Sequence, residues 1–273
     1  MAAPALPDPN SQQEPLAEDA AGRMSFFEHL VDLRKRLVNS LLGLGAGMVV
    51  GLIVSPYFID FIVKPMQKAL REHHLDDKLY YTSPAGYISL IISLGLYLGI
   101  VLAMPWVLYQ IWQFIAPGLY KHERSAVAGF IIPSMFLFLC GIAFGYFIVL
   151  PTMLNFLIGM SVSGPVKPLI NINEYFDLIL IVLVGLGIIF ELPILIFILS
   201  VFGVVTPKLL IKNFRYAMLI ITIVAAVAAP TPDATTMLIF MAALVLLYLV
   251  GVIVSYFVVR KKRARALASG ETK

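Results

Sequence analysis

Apolar residues in this chain fall into long blocks separated by short polar stretches. The blocks have the length of a bilayer crossing rather than of a helix in a soluble core. Runs of about 20 apolar residues bounded by charges or by Pro and Gly predict membrane-spanning helices, and six are read, at 38–59, 88–114, 127–150, 176–202, 216–229 and 235–258. The fifth is short. At about 1.5 Å per residue it rises roughly 21 Å against a hydrocarbon core of about 30 Å, so it cannot cross a bilayer of normal thickness unaided. Ahead of the first block, "SFFEHLVDLRKRL" offers Ser25 and Glu28 as a capping box, with Phe26, Leu30, Leu33 and Leu37 on one helical stripe. This predicts a short helix lying in the membrane interface before the chain turns into the first span. A signal peptide is excluded, because the apolar run after "RKR" is too long for one and lacks an A-x-A site.

Composition agrees with the pattern. The 273 residues are 60% hydrophobic and 13% charged, against roughly 45 to 50% and about 25% in soluble domains. This is a polytopic membrane protein. Residues 1–23, rich in Ala, Pro, Gln and acids and lacking aromatics, read as a disordered tail; 24–259 form the membrane domain and 260–273 a basic tail. The one cysteine, Cys140, excludes an intrachain disulfide framework, and His29, His73, His74 and His122 show no pairing with carboxylates that suggests a metal. No cofactor and no nucleic-acid partner are expected.

Basic residues set the orientation, since Lys and Arg in short loops resist translocation. With the N-terminus in the cytoplasm, fifteen of the twenty Lys and Arg residues lie inside, leaving Lys64, Lys68, Arg71, Lys78 and Lys167 on the other face. Six spans return the C-terminus to the cytoplasm, where "RKKRAR" at 260–265 meets anionic lipid headgroups. Both termini are expected inside.

Helix breakers are frequent. Pro105, Pro133 and Pro193 fall inside spans, with Pro56, Pro65 and Pro151 nearer span ends. Each frees the carbonyl four residues back and bends its helix, which predicts an all-α bundle that is curved and concave. Within the fourth span, "GIIFELPILIF" carries a solitary glutamate, Glu191. A carboxylate at the centre of a membrane helix disfavours insertion by roughly 2.5 to 3.5 kcal/mol. Three readings stand open: a carboxyl group donating to the Ile189 carbonyl freed by Pro193, a carboxyl group facing a wet concavity, and a proton relay.

Three stretches occur in order, ahead of the first span, after the second and inside the fourth: "HLVDLRKRL" at 29–37, "WQFIAPGLYKHER" at 112–124 and "FELPI" at 190–194. In combination, and with the span count, they resemble the TatC family, the multi-spanning receptor of the twin-arginine protein translocase. The resemblance runs from about Met24 to about Arg263. It implies a non-enzymatic receptor that recognises signal peptides bearing paired arginines and scaffolds export of folded proteins driven by the proton-motive force. It also implies single-span TatA/TatB-type partners, membrane lipid contacts and an oligomeric complex in the cytoplasmic membrane.

Paired guanidinium groups call for cytoplasmic carboxylates, which accept bidentate, charge-assisted hydrogen bonds. The resemblance places this role on Glu123 and Asp32, with Arg34, His29 and Phe114 in the same motifs. Asp32 departs from the family's more usual glutamate. Read without the family, Glu123 is a solvated loop acid beside Lys121 and Arg124. The stretch at 64–87 reads as a long extracytoplasmic loop resembling the family's periplasmic cap, with Pro65 at a matching position. Asp233, in "APTPDATTM", matches an acidic position tied to partner subunits, although Met237 stands where a glutamine is often found. Glu191 matches a glutamate in a concave face. The rival reading is a proton-coupled secondary transporter using Glu191; the lack of a second intramembrane charge for a relay weighs against it.

Overall fold

The structure is a computed structural model and describes residues 26–115, 131–162, 168–229 and 231–268, with side chains from 30 to 261 within these ranges. The described chain is helical throughout apart from one isolated bridge. In order the helices are α1 (Phe26–Glu72), α2 (Gly86–Ile115), α3 (Ile131–Phe144), a π-helical turn (Gly145–Val149), α4 (Leu150–Val162), α5 (Ile172–Ile189), α6 (Leu192–Val201), α7 (Pro207–Lys212), α8 (Phe214–Ala228) and α9 (Ala234–Ala268). Five stretches are long and apolar enough to cross a membrane: Leu30–Glu72, Gly86–Ile115, Ile131–Val162, Ile172–Val201 and Ala234–Lys261. The sixth, α8, has 15 residues, the short span expected from the sequence.

Three expectations are corrected. The stretch read as an interfacial helix is not separate from the first span: α1 runs unbroken for 47 residues. No Gly or Pro lies between Phe26 and Val38, and an ion pair one turn apart, Asp32–Arg36 at 3.3 Å, fits the continuing helix. The loop read at 64–87 is shorter than expected, because α1 continues to Glu72 and α2 begins at Gly86, leaving 73–85 between them. Ile62, Met66, Ala69 and Leu70 belong to the buried core, so the helix is held by packing beyond the predicted span end. Third, the fourth span is two helices, broken at Phe190 and Glu191.

Prolines inside α1 leave carbonyls that something else must satisfy. Pro56 frees Leu52, whose carbonyl accepts from the Ser55 hydroxyl at 3.1 Å. Pro65 frees Phe61, whose carbonyl accepts from the Tyr146 hydroxyl at 2.6 Å. The adjacent Ile62 carbonyl accepts from Tyr175 at 2.8 Å. Tyr146 lies in the π-helical turn and stacks its ring on Phe61 at 4.3 Å between centroids. Pro65 is therefore an internal helix residue whose freed carbonyl is met by neighbouring spans.

The α1–α2 contact depends on missing side chains. A Cβ on Gly51 would lie 2.2 Å from the Gly95 carbonyl oxygen, and one on Gly99 would lie 2.4 Å from the Met48 Cα. Only glycine permits backbones this close. Around that pair, one core joins α1, α2, α4 and α5 through Ile62, Leu94, Leu154 and Phe176. A second joins α6, α8 and α9 through Ile196, Ile221, Phe240 and Leu244. A third ties α2 to α3 and α6 through Trp112, Phe138, Ile194 and Phe197. At the end carrying residues 73–85, Tyr80 pairs its backbone with Ile170 and Ile172.

Candidate functional site

The close α1–α2 packing sets the N-terminal part of α1 against the C-terminal part of α2, and a polar cluster forms there. Trp106 donates from its indole nitrogen to the Asn39 carbonyl at 3.0 Å. One turn along α2, Gln110 is 2% exposed, and its side-chain oxygen accepts from Arg36 Nη1 at 3.4 Å. Arg36 Nε donates to Asp32 Oδ1 at 3.3 Å. The other Asp32 oxygen, Oδ2, is buried and has no partner among the described residues. A carboxylate in that condition is a costly feature for stability alone and a ready acceptor for an arriving donor.

The predicted signal-binding residues are not all brought together. Asp32 stands in this cluster, whereas Arg34 is exposed. Phe114 lies partly buried near the end of α2. Glu123 and the side chain of His29 lie outside what the structure describes. Arg36 and Gln110 were not singled out from the sequence. The one-turn spacing of Asp32 and Arg36 is a legible signal for the first, and a lone amide inside an apolar span for the second.

Glu191 occupies the break between α5 and α6. Phe190 and Glu191 keep near-helical dihedrals, and Pro193 sits in the first turn of α6, where its missing N–H costs nothing. The Glu191 side chain does not cap α6; its Oε2 accepts from the Ser134 hydroxyl at 2.8 Å. Ser134, on α3, is fully buried. Glu191 Oε1 is buried and unpartnered among the described residues. The approach of α3 to the break again needs glycine, since a Cβ on Gly141 would lie 2.6 Å from the Leu186 carbonyl oxygen. Of the sequence readings, the Ile189 carbonyl gives way to Ser134 as the partner the structure describes.

Pro65 and Asp233, placed by resemblance on the external face, both carry structural duties. Pro65 stands inside α1 and leaves the Phe61 carbonyl to Tyr146. Asp233 immediately precedes α9 and accepts from the Thr236 backbone N–H at 2.6 Å and from the Thr231 hydroxyl. It is 6% exposed. Burial opposes its ionisation, but these hydrogen bonds outweigh burial and hold the carboxyl below the usual aspartate range. Among the described residues, no cluster of His, Cys, Asp and Glu is arranged to hold a metal ion.

Fold and site define a class: an all-helical, multi-pass membrane protein with one polar cluster where its first two helices meet and one carboxyl group at a break inside a later span. The family model for the Sec-independent protein translocase protein TatC matches residues 28–242. A Sec-independent protein translocase protein TatC of Koribacter versatilis is 41% identical over 250 residues, covering 92% of each chain. Its counterpart from Deinococcus radiodurans is 36% identical over 250 residues, again covering 92% of each. A crystal structure of the twin arginine translocase receptor TatC superposes with a TM-score of 0.70 at 32% identity, covering 85% of this chain and 99% of that one. The chain belongs to the TatC family, and is a component of a protein translocase rather than an enzyme.

Proposed function

We propose that this protein is the receptor and core subunit of a twin-arginine translocase in the cytoplasmic membrane. It recognises paired-arginine signal peptides at its cytoplasmic face and scaffolds export of folded proteins driven by the proton-motive force, together with single-span TatA/TatB-type subunits in an oligomeric complex. The observation carrying this reading is the Asp32 carboxylate, with one oxygen loosely held by Arg36 and the other buried and unpartnered among the described residues. In sequence Glu123 follows the end of α2 by eight residues, and this reading takes it as a second acid for the signal arginines. Both termini are cytoplasmic in this reading, with residues 73–85 outside.

The test is crosslinking of a paired-arginine signal peptide to membrane-embedded protein. Glu123→Gln and Glu123→Ala are expected to leave the protein inserted and to weaken crosslinking about tenfold or more, the loss of one charge-assisted hydrogen bond. Glu123→Asp is expected to be intermediate. Undiminished crosslinking by the Gln variant would return Glu123 to a solvated loop acid.

A further inference from the structure

Arg36 stands in an unusual position for a residue beside a guanidinium-binding carboxylate, because it is itself a guanidinium and already occupies that carboxylate. Its hold is weak in geometry. The bonds of 3.3 Å to Asp32 Oδ1 and 3.4 Å to Gln110 Oε1 are long beside the roughly 2.7 to 2.9 Å of strong charge-assisted pairs. Each partner receives one N–H, so the two-pronged Arg–carboxylate fork is not formed, and Asp32 Oδ2 stays buried without a donor among the described residues. Arg36 and Asp32 retain side-chain exposures of 24% and 17%, so an arriving group can reach the pair and Arg36 can swing toward solvent.

We propose that Arg36 is a specificity-determining residue: an internal place-holder on Asp32 that a signal arginine displaces and a signal lysine does not. The inference rests on the reading of Asp32 as a signal contact. A guanidinium that displaces Arg36 can present two parallel N–H groups to both Asp32 oxygens and a further one to Gln110, replacing every bond it breaks and supplying the missing donor to Oδ2. An ammonium is a compact point charge without that fork. It must break the Arg36 contacts and cannot restore both oxygens and the Gln110 amide in one pose. Discrimination then comes from what the wrong ligand fails to replace, which is how a site rejects a near-isostere by more than its attraction differs. Arg34 and Lys35, both exposed on the same helix, repel either peptide alike and do not contribute to the ratio.

The experiment measures binding of a paired-arginine and a paired-lysine signal peptide, by fluorescence anisotropy, to the full chain in lipid nanodiscs. Wild type, Arg36→Gln, Arg36→Lys and Asp32→Asn are compared at matched amounts of folded protein. With Arg36→Gln the arginine-to-lysine preference is expected to narrow about tenfold, mainly through a gain by the lysine peptide. General loss of positive charge would strengthen both peptides equally and leave the ratio unchanged. If Arg36→Gln fails to accumulate, Arg36→Lys carries the test, since a lysine place-holder is displaced more readily and the preference narrows as well. Weakened binding of the arginine peptide by Asp32→Asn, with an unaltered ratio in the Arg36 variants, would overturn the place-holder role alone. No effect of Asp32→Asn on the arginine peptide would overturn the reading of Asp32 itself, and the inference with it.

Discussion

Glu191 is held in place through a single hydroxyl. Glutamine at that position retains an oxygen that accepts from Ser134, whereas leucine leaves the fully buried Ser134 hydroxyl without its acceptor. Glu191→Gln is therefore expected to keep stable protein and much of the export activity, and Glu191→Leu to impair export more severely at matched protein levels. Equal damage from both, with signal binding intact, would show that the carboxyl must titrate and would favour the transporter-like reading. Asp233 poses the opposite question, because its bonds to Thr236 and Thr231 are those of a helix cap. Asp233→Ala is expected to cost about 0.5 to 2 kcal/mol of stability, and Asp233→Asn only a fraction of that, since asparagine caps nearly as well. The pH dependence has a definite sign. A carboxyl held below its ordinary pKa stabilises the fold above the unfolded-state value of about 3.8, and that contribution is lost as pH falls through the lower folded-state value. Thermal melting of the three forms in detergent at pH 7 and at acid pH checks both statements: the Asp233→Ala deficit is expected at pH 7 and to shrink in acid. Export lost in Asp233→Asn with melting unchanged would instead support the partner-contact role.

At the scale of elements, Tyr146 and Pro65 act as one joint. Tyr146→Phe removes the donor to the Phe61 carbonyl that Pro65 leaves free, and an unsatisfied buried carbonyl costs about 1 to 3 kcal/mol. The variant is expected to melt lower in detergent. Combining it with Pro65→Ala, which restores a backbone donor to Phe61, should recover part of the loss; equal melting of Tyr146→Phe and wild type would remove the joint from the account. The existence of the joint was half legible. Pro65 announces a freed carbonyl wherever it stands in a helix, but which side chain answers depends on how spans pack, and no spacing in the sequence brings Tyr146 or Tyr175 to residues 61 and 62. Spans themselves were legible because a bilayer demands about 20 apolar residues per crossing. Their edges were not. The amphipathic stripe of "SFFEHLVDLRKRL" reads as a separate interfacial helix, yet a helix leaving a membrane needs no change of direction, and α1 runs through this stretch into the first span unbroken. Glu191 was legible as an anomaly, and Ser134 was not, since a single hydroxyl in an apolar run is unremarkable until Gly141 of α3 and Gly187 of α5 let the two helices close at the break. The Asp32–Arg36 pair could have been read from its one-turn spacing.

For the whole molecule, orientation is the statement on which the rest depends. A cysteine introduced at Asp76 is expected to react with a membrane-impermeant thiol reagent in intact cells, and one at Ser269 only after permeabilisation, on a background lacking Cys140. Reversed labelling would place the Asp32 cluster on the wrong side of the membrane for signal recognition. Within that frame the spans are unequal. α1, at about 70 Å, is more than twice the hydrocarbon thickness, while α8 reaches only about 22 Å.

A bilayer that thins to meet α8 changes the electrical landscape beside it. Whatever voltage the membrane carries then falls over about 22 Å rather than about 30 Å. The work of moving a charge from one side to the other is set by the voltage and does not change. The local field does change, and along Phe214–Ala228 it is steeper by about a third. Any charged or strongly dipolar group brought against that side of the bundle is pulled harder, per ångström travelled, than one against the flanking full-length spans. The short span thus makes its own edge of the protein the place where membrane voltage exerts the greatest force.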